Sequence, residues 1–368
     1  MTHEGDMRRA LELAERGIGR VSPNPMVGAV IVRGGEVVGE GWYTGPRGSP
    51  HAEIRALDEA SERARGATMV CTLEPCSHHG ATPPCAEALI LAGVARVVVA
   101  SVDPNPVVHG RGIAWMRAAG IDVEVGLLDE LERRMNAAFV SHVSTGRPFV
   151  VLKFASSLDG KVAASDGSAR WITGEPARED AHRLRAWADA VIVGAGTAVA
   201  DDPALTVRAS GLEGANPPLR VLVDSGGRVP AERRIFDRAA PTLVATTDRA
   251  SAQCLKGWEG AGAEVLVLDH DVAGGVDVIG LLAALGKRDV QGVLIEGGPT
   301  LAWSFVRDGS IDRVVAYFAP KLVGGAGAPS ALMGGGFAPI DRAGTLDLWS
   351  VTQIGDDIRV EADVHRDR

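Results

Sequence analysis

His51 and Glu53, in the segment SPHAE, precede a fifteen-residue stretch, CTLEPCSHHGATPPC, that holds three of the chain's four cysteines and two of its nine histidines. Four cysteines in 368 residues are not a disulfide framework. Clustered thiols in a reducing cytoplasm more often hold metal. Ser49 and Pro50 read as the N-cap and first residue of a helix, which puts His51 and Glu53 in its first turn. Two residues are about 200° of helical rotation, so the two side chains point differently, yet at a helix start both can border one pocket. Cys76 follows Pro75 after a predicted strand, and Cys85 opens the next helix behind Thr82-Pro83-Pro84. One imidazole and two thiolates make three ligands and leave the fourth tetrahedral position to water, the pattern of a catalytic zinc rather than a structural one. Cys71 lies on the preceding strand and is expected in the core. His78 and His79 could compete as ligands, but in an exposed insertion beside the metal they are expected to touch substrate.

The elements that must position these groups alternate. A helix over about 6–16 is followed by VGAVIVR, a Gly34-Gly35 turn and EVVGEGWY, a hairpin. Then come a helix from about Pro50 to Ala64, the strand ATMVCTL, a helix at CAEALILAG, the strand ARVVVAS, a helix near RGIAWMRAAG and the strand IDVEVG. A long helix, LLDELERRMNAAFVSHV, ends at STGRP, where Gly146 and Pro148 make a linker. A second series begins with FVVLKFASSLDGK and continues through DAVIVGAG, LRVLVDSGG, TLVATT, AEVLVLD, GVLIEGG and RVVAYFAPKLVGG. Strands separated by helices in this way predict two α/β domains, 1–146 and 147–368.

Composition narrows the function. Lys+Arg 38 against Asp+Glu 47 gives −9, and aromatics are only 4%. Both disfavour a nucleic-acid partner. No apolar run is long enough to span a bilayer, and the charged amphipathic start is not a signal peptide. A cytoplasmic enzyme acting on a small, phosphorylated molecule fits, because one or two placed cations or helix N-termini suffice for a phosphate.

H-x-E followed by Pro-Cys and a further Cys resembles the signature of zinc nucleobase deaminases, except that Cys76 and Cys85 are separated by eight residues instead of two. With TLEPCSHHG-x-TPPC, SPNPMVGAVIV upstream and HAE between, the stretch from about Asn24 to Asn105 resembles the deaminase domain of the RibD family of bifunctional riboflavin-biosynthesis proteins, in which the eight-residue insertion is the usual form. The resemblance implies a cytidine-deaminase-like α/β/α domain with zinc on His51, Cys76 and Cys85. Glu53 would shuttle protons, with Asn24 and His78 on the substrate. That substrate would be 2,5-diamino-6-ribosylamino-4(3H)-pyrimidinone 5′-phosphate, losing its amine at pyrimidine C2. Thr44 stands where many members have His, and Ala81 where many have a basic residue; Arg47 is a candidate replacement cation.

In the second half, LIEGGPTLAWSFV sets two glycines between a strand and a helix, with Pro299 at its start; by itself such a turn is more often a plain chain reversal, and otherwise it is a site for a phosphate or diphosphate on the N–H groups of Gly297, Gly298 and Thr300. VGAGTAVADDPALTVR adds Thr197, Asp201 and Arg208; Asp201-Asp202-Pro203 could be only a capping turn. With KFASSLDGKVA and RWITG, these motifs resemble the reductase domain of the same family over roughly 147–325, a fold similar to dihydrofolate reductase. The resemblance implies an NADPH site lined by Ala155, Trp171, Thr197, Asp201, Ser225 and the segment Gly298, Pro299, Thr300, Leu301, Ala302, Trp303, Ser304. It puts Leu205, Arg208 and Glu296 toward the sugar phosphate and Ala169 at a position that is often Ser. Lys153 and Asp201 would handle protons as the ribosyl chain is reduced to ribityl. It also implies a homo-oligomer formed through the reductase domain.

Two other readings stand beside this one. A nucleic-acid base deaminase with an unrelated appendage is disfavoured by charge, aromatic content and the matched second half. A binding protein with a structural zinc is disfavoured by Glu53, since a closed site would supply a fourth ligand and needs no adjacent carboxylate.

Overall fold

The computed structural model describes residues 3–46, 48–80 and 82–366, so Arg47 and Ala81 lie outside the described residues. The chain divides into two units, Met1–Gly146 and Arg147–Arg368, parting inside STGRP.

In the first unit, β1 (Gly28–Arg33), β2 (Glu36–Trp42), β3 (Thr68–Leu73), β4 (Arg96–Ser101) and β5 (Asp122–Val125) form one sheet in the order β2-β1-β3-β4-β5. β1 is antiparallel to both β2 and β3, whereas β3, β4 and β5 run parallel. The central strands are apolar on both faces, and alternate residues enter separate cores. Ala29, Ile31, Met69, Cys71, Val97 and Val99 pack with helices Ala52–Ala60, Cys85–Ala92 and Arg111–Ala118. Val30, Val32, Val70, Val98 and Ala100 pack under helix Glu4–Glu15. That is a three-layer α/β/α sandwich, the expected fold, and it leaves Cys71 fully buried in the core.

One helix packs unusually close. A Cβ on Gly41 of β2 would lie 2.2 Å from the Ala52 carbonyl oxygen, and one on Gly39 would lie 2.3 Å from that of Ala56. Glycine there lets the helix carrying Glu53 settle directly on the sheet edge.

Two local expectations are corrected. The helix after Pro50 starts two residues late: His51 is its N-cap, with extended backbone (ψ 165°), and the first helical bond runs from Arg55 N–H to the His51 carbonyl. Ser49 does not cap it, because its hydroxyl donates to the Gly45 carbonyl (2.7 Å). The long helix before the linker breaks at Asn136 into Asp129–Met135 and Ala137–Thr145. There the buried Asn136 amide accepts from the Met26 N–H (2.8 Å) and donates to the Met26 carbonyl (2.9 Å). A side chain used as a strand-like clamp on another segment fixes the local backbone off the helical path.

The second unit holds a nine-stranded sheet. Its strands are β6 (Phe149–Ser157), β7 (Ala190–Gly194), β8 (Leu219–Val223), β9 (Thr242–Thr246), β10 (Glu264–Val267), β11 (Gly292–Glu296), β12 (Arg313–Ala319), β13 (Leu346–Ile354) and β14 (Asp357–Val364). The order is β10-β9-β8-β7-β11-β6-β12-β14-β13, parallel from β10 to β12 and antiparallel beyond. Helices Val278–Gly286 and Pro299–Arg307 cover one face; Glu175–Trp187, Ala195–Asp201 and Ala252–Gly260 cover the other. The closing hairpin β13–β14 was not anticipated. Its edge strand leaves Leu346, Leu348 and Val351 exposed, so no buried face marks it out. The Gly355-Asp356 turn between two β-rich runs is the signal that could have found it.

Candidate metal centre and cleft

In the first unit, His51, Cys76 and Cys85 converge, their ligand atoms all within 4.8 Å of one another. Both sulfurs face one ring nitrogen: His51 Nδ1 lies 3.6 Å from Cys76 Sγ and 3.2 Å from Cys85 Sγ. The N-cap position explains how His51 and Glu53 share a pocket, since extended backbone at His51 frees its ring from the helical angle. His51 Nε2 lies 3.5 Å from Thr82 Oγ1, and Tyr43 meets the ring edge-on. Asn24 Nδ2 donates to the Tyr43 hydroxyl (3.2 Å), which in turn donates to the Pro46 carbonyl (3.1 Å). Asn24, one of the residues expected at the substrate, is thus one side chain away from His51.

The electrostatics suit a soft divalent cation. Hydrogen bonding from Cys85 and then His51, opposed by burial, pushes the Cys76 thiol down to about 4. Cys85 is pushed up, by its bond to Cys76 and by burial. The pair therefore favours a thiolate at Cys76, and a bound cation would favour loss of the second proton. Glu53 is 3% exposed. Burial first, then the nearby Cys76 charge, raise its carboxyl to about 7. A nitrogen and two sulfurs around one point, with a protonatable carboxylate beside them, fit tetrahedral zinc with an open position. His78 and His79 are exposed and outside the cluster. Thr44 is engaged within the fold, accepting from Arg55 Nη2 (3.0 Å) and donating to the Gly45 carbonyl (3.2 Å).

Sequence reasoning missed two acids here. The buried Glu74 carboxylate accepts four backbone N–H groups: Gly110 (2.8 Å) and Asp103 (3.3 Å) on one oxygen, Gly112 (2.9 Å) and Ile113 (3.2 Å) on the other. It therefore caps helix Arg111–Ala118 from the strand end that leads into Pro75-Cys76. The approach is so close that a Cβ on Gly112 would lie 2.0 Å from the Pro75 carbonyl oxygen. An acid between a strand and Pro-Cys was the available signal. Asp103 is raised to about 6, chiefly by burial, with the Asn105 N–H that it accepts (2.8 Å) pulling the other way.

In the second unit, a cleft of about 1060 Å³ opens at the carboxyl ends of β6, β7, β8 and β11. Lys153 and Ala155 of β6 line it, as do Ala169 and Trp171 from the loop that follows. Thr197, Asp201, Leu205 and Arg208 enter from the segment after β7, and Ser225 from the end of β8. Gly298, Pro299, Thr300, Leu301, Ala302 and Ser304 complete the wall after β11. Gly297 (φ 77°) and Gly298 (φ 79°) hold left-handed backbone that turns the chain into helix Pro299–Arg307. Asp201 ends helix Ala195–Asp201, and Asp202 is its left-handed C-cap (φ 44°). The capping turn and the cleft wall are thus the same structure. Leu205 is buried at φ 51°, strain of about 1–2 kcal/mol that sits against the cleft.

Two expected lining residues are elsewhere. Trp303 turns away, its ring against Phe337 and so close to Gly334 that a Cβ there would lie 2.0 Å from it. Glu296 is buried behind the wall in a two-pronged pair with Arg185 (2.5 and 2.8 Å). Burial would raise its pKa, but the Arg185 charge and bonds hold it below the usual range. Arg185 and His182, on helix Glu175–Trp187, line the cleft and were not foreseen. Their i, i+3 spacing on a polar helix looks like ordinary surface. Burial lowers the Lys153 pKa, Arg185 adding to the effect and Glu296 opposing it. Trp171 stands 63% exposed at the mouth with Arg178 4.5 Å above its ring.

Comparison with known proteins accounts for both halves. Residues 148–360 match the family model described as the RibD C-terminal domain. Residues 1–101 match that of the cytidine and deoxycytidylate deaminase zinc-binding region. The chain is 43% identical over 334 residues to riboflavin biosynthesis protein RibD of Escherichia coli, covering 88% of this chain and 89% of that one. It is 41% identical to the protein of that name from Bacillus amyloliquefaciens, over 98% and 99% of the two chains. Among solved structures, Acinetobacter baumannii RibD superposes with a TM-score of 0.86 at 39% identity over 99% of both chains. A diaminohydroxyphosphoribosylaminopyrimidine deaminase/5-amino-6-(5-phosphoribosylamino)uracil reductase from Thermotoga maritima gives 0.85 at 35% identity, also over 99% of both.

Proposed function

The chain belongs to the RibD family of riboflavin biosynthesis, deaminase and reductase in one polypeptide, and we propose that its two sites act in succession on one phosphorylated pyrimidine. The first removes the C2 amine of 2,5-diamino-6-ribosylamino-4(3H)-pyrimidinone 5′-phosphate; the second reduces the ribosyl chain of the product to ribityl with NADPH.

His51, Cys76 and Cys85 would hold zinc, which would supply the Lewis acidity that makes water a nucleophile near neutral pH. Glu53, buried and with its pKa near 7, takes a proton from the attacking water and returns protons to the ring nitrogen and the departing amine. Asn24 and His78 orient the pyrimidine. In the second unit NADPH would supply hydride when bound. Thr197 and the backbone N–H groups of Gly297, Gly298 and Thr300 would hold its diphosphate at a helix start, and Arg208 would hold the sugar phosphate with its planar fork. Glu296 acts through Arg185. Lys153, whose pKa burial lowers, and Asp201 would carry the protons that reduction at ribose C1′ requires.

The exposed apolar edge strand β13 supports a homo-oligomer formed through this unit. Among the described residues no helix is long and apolar enough to cross a membrane. Four free thiols, two of them proposed ligands, suit a reducing cytoplasm.

The observation that carries the reading is the meeting of His51 Nδ1 with two cysteine sulfurs beside a buried Glu53. Incubating the protein with the diaminopyrimidinone phosphate should release ammonia without NADPH and consume NADPH once it is added. Elemental analysis should find about one zinc per chain. Absence of zinc and of ammonia release would overturn the proposal.

A further inference from the structure

We infer that Asn136 is a positioning residue of the deaminase site, whose side chain holds the segment 24–26 so that the Asn24 amide meets the pyrimidine. The inference rests on the reading of the first unit as a pyrimidine deaminase with Asn24 on its substrate, and adds the group that places Asn24.

The segment SPNPM leaves little slack between Asn24 and Met26. Only Pro25 separates them; its ring fixes its own φ at about −65°, and its bulk confines Asn24 to extended backbone. Pro25 has no N–H to pin, so Met26 is the first residue after Asn24 that a side-chain amide can grip through both backbone groups. Asn136 does so from the break between helices Asp129–Met135 and Ala137–Thr145. Its Oδ1 accepts the Met26 N–H (2.8 Å), and its Nδ2 donates to the Met26 carbonyl (2.9 Å). The other Nδ2 hydrogen goes to Glu132 Oε1 (2.7 Å). Asn136 is 3% exposed and Glu132 1%, so these bonds are made away from water and fix the amide in one orientation.

From that grip the segment reaches the metal cluster through Tyr43. Asn24 Nδ2 donates to the Tyr43 hydroxyl (3.2 Å), and Tyr43 stands edge-on to the His51 ring with centroids 5.8 Å apart. Asn24 is half-buried, and its side-chain oxygen and second N–H are not used in that bond. An amide with one acceptor and one donor to offer suits the edge of a pyrimidinone, where a ring or amino N–H stands beside a carbonyl. Glu53 and the metal ligands belong to other elements, at the start of helix Ala52–Ala60 and around Pro75 and Pro84. The Asn136 side chain bonds to Met26 and Glu132 instead. Its grip therefore bears on where the ring lies, while the groups that act on the attacking water are held independently.

The test measures ammonia release from the diaminopyrimidinone phosphate by the full-length, zinc-loaded protein as wild type, Asn24→Ala, Asn136→Ala and the double variant. Asn136→Ala should raise KM by about tenfold to a hundredfold, the scale on which a small misplacement acts. It should move kcat by less than about threefold, since the segment supplies binding of the ring and not the reacting groups. Asn24→Ala should do the same. Because Asn136 acts through Asn24, the double variant should stay within about twofold of Asn24→Ala. Bound zinc and reduction of supplied deaminated intermediate should match wild type. Asn136→Asp keeps an acceptor for the Met26 N–H and loses the donated bonds; it takes the place of Asn136→Ala if that variant does not fold, with the same outcomes expected. A wild-type KM in a folded Asn136 variant or in Asn24→Ala, effects that multiply in the double variant, or loss of zinc with the clamp would overturn the inference and leave the deaminase standing. No ammonia release from zinc-loaded wild type would overturn both.

Discussion

Glu74→Gln isolates the clamp that holds the metal loop. The carboxylate accepts two backbone N–H groups on each oxygen, with one short bond on either side (Gly110 at 2.8 Å, Gly112 at 2.9 Å). Glutamine keeps one acceptor oxygen and replaces the other with an NH₂ group, which would face two backbone donors inside the fold. Hydrogen bonds to charged groups contribute about 1.5–3 kcal/mol each. One short and one long bond lost, with donors left confronting a donor, should cost roughly 2–4 kcal/mol. For a unit of this size that lowers the melting temperature by about 5–15 °C. Pro75-Cys76 leads directly from the clamp, so zinc should also pass more readily to a competing chelator. Reduction of supplied deaminated intermediate should persist, because the second unit contributes nothing to the clamp. The measurements are calorimetric melting, zinc retention against a chromogenic chelator, and the two activities. A variant with wild-type melting and wild-type zinc retention would refute the clamp, whatever its activity.

Glu53→Gln should lower ammonia release by about 10²- to 10⁴-fold while NADPH oxidation with the deaminated intermediate persists; loss of both in a folded, zinc-loaded protein would refute the two-site assignment. Asp201→Asn should do the converse, sparing ammonia release and slowing the loss of nicotinamide absorbance. Gly298→Val should weaken NADPH binding by titration, since a β-branched residue is strained at φ 79° and its Cβ would lie 3.4 Å from Thr197 Oγ1; unchanged affinity would remove the diphosphate from that turn. Burial raises Glu132 from 4.5 to about 7, so its contribution to stability is full below about pH 4.5 and is lost as pH rises through about 7. The melting temperature of Glu132→Gln should therefore gain on wild type across that window, and parallel pH profiles would count against the assignment.

Much of the protein is determined by its sequence alone. The alternation of apolar runs with helix-period segments fixes two α/β units, and STGRP marks where they part, because these signals depend on neighbours along the chain. The candidate metal triad is legible for the same reason. Pro75-Cys76 follows the end of one element and Pro84-Cys85 opens the next, and thiols in such turns have few structural uses. Groups that act across the fold were decided only by tertiary structure. Whether His51 stands inside a helix or caps it turned on Ser49 preferring the Gly45 carbonyl. Glu74 meets a helix start some forty residues later, and Asn136 breaks a favourable helix because its amide pairs with Met26. Trp303 and Glu296 belong to segments that do border the cleft, yet the packing of Phe337 and the charge of Arg185 turn them from it. Asp224 and Arg228, four residues apart, could each have faced a ligand. Burial of the first and exposure of the second depend on how the loop closes over the end of β8. Local pattern sets which element forms. The direction in which a polar side chain is spent depends on which distant backbone groups would otherwise be left buried without a partner.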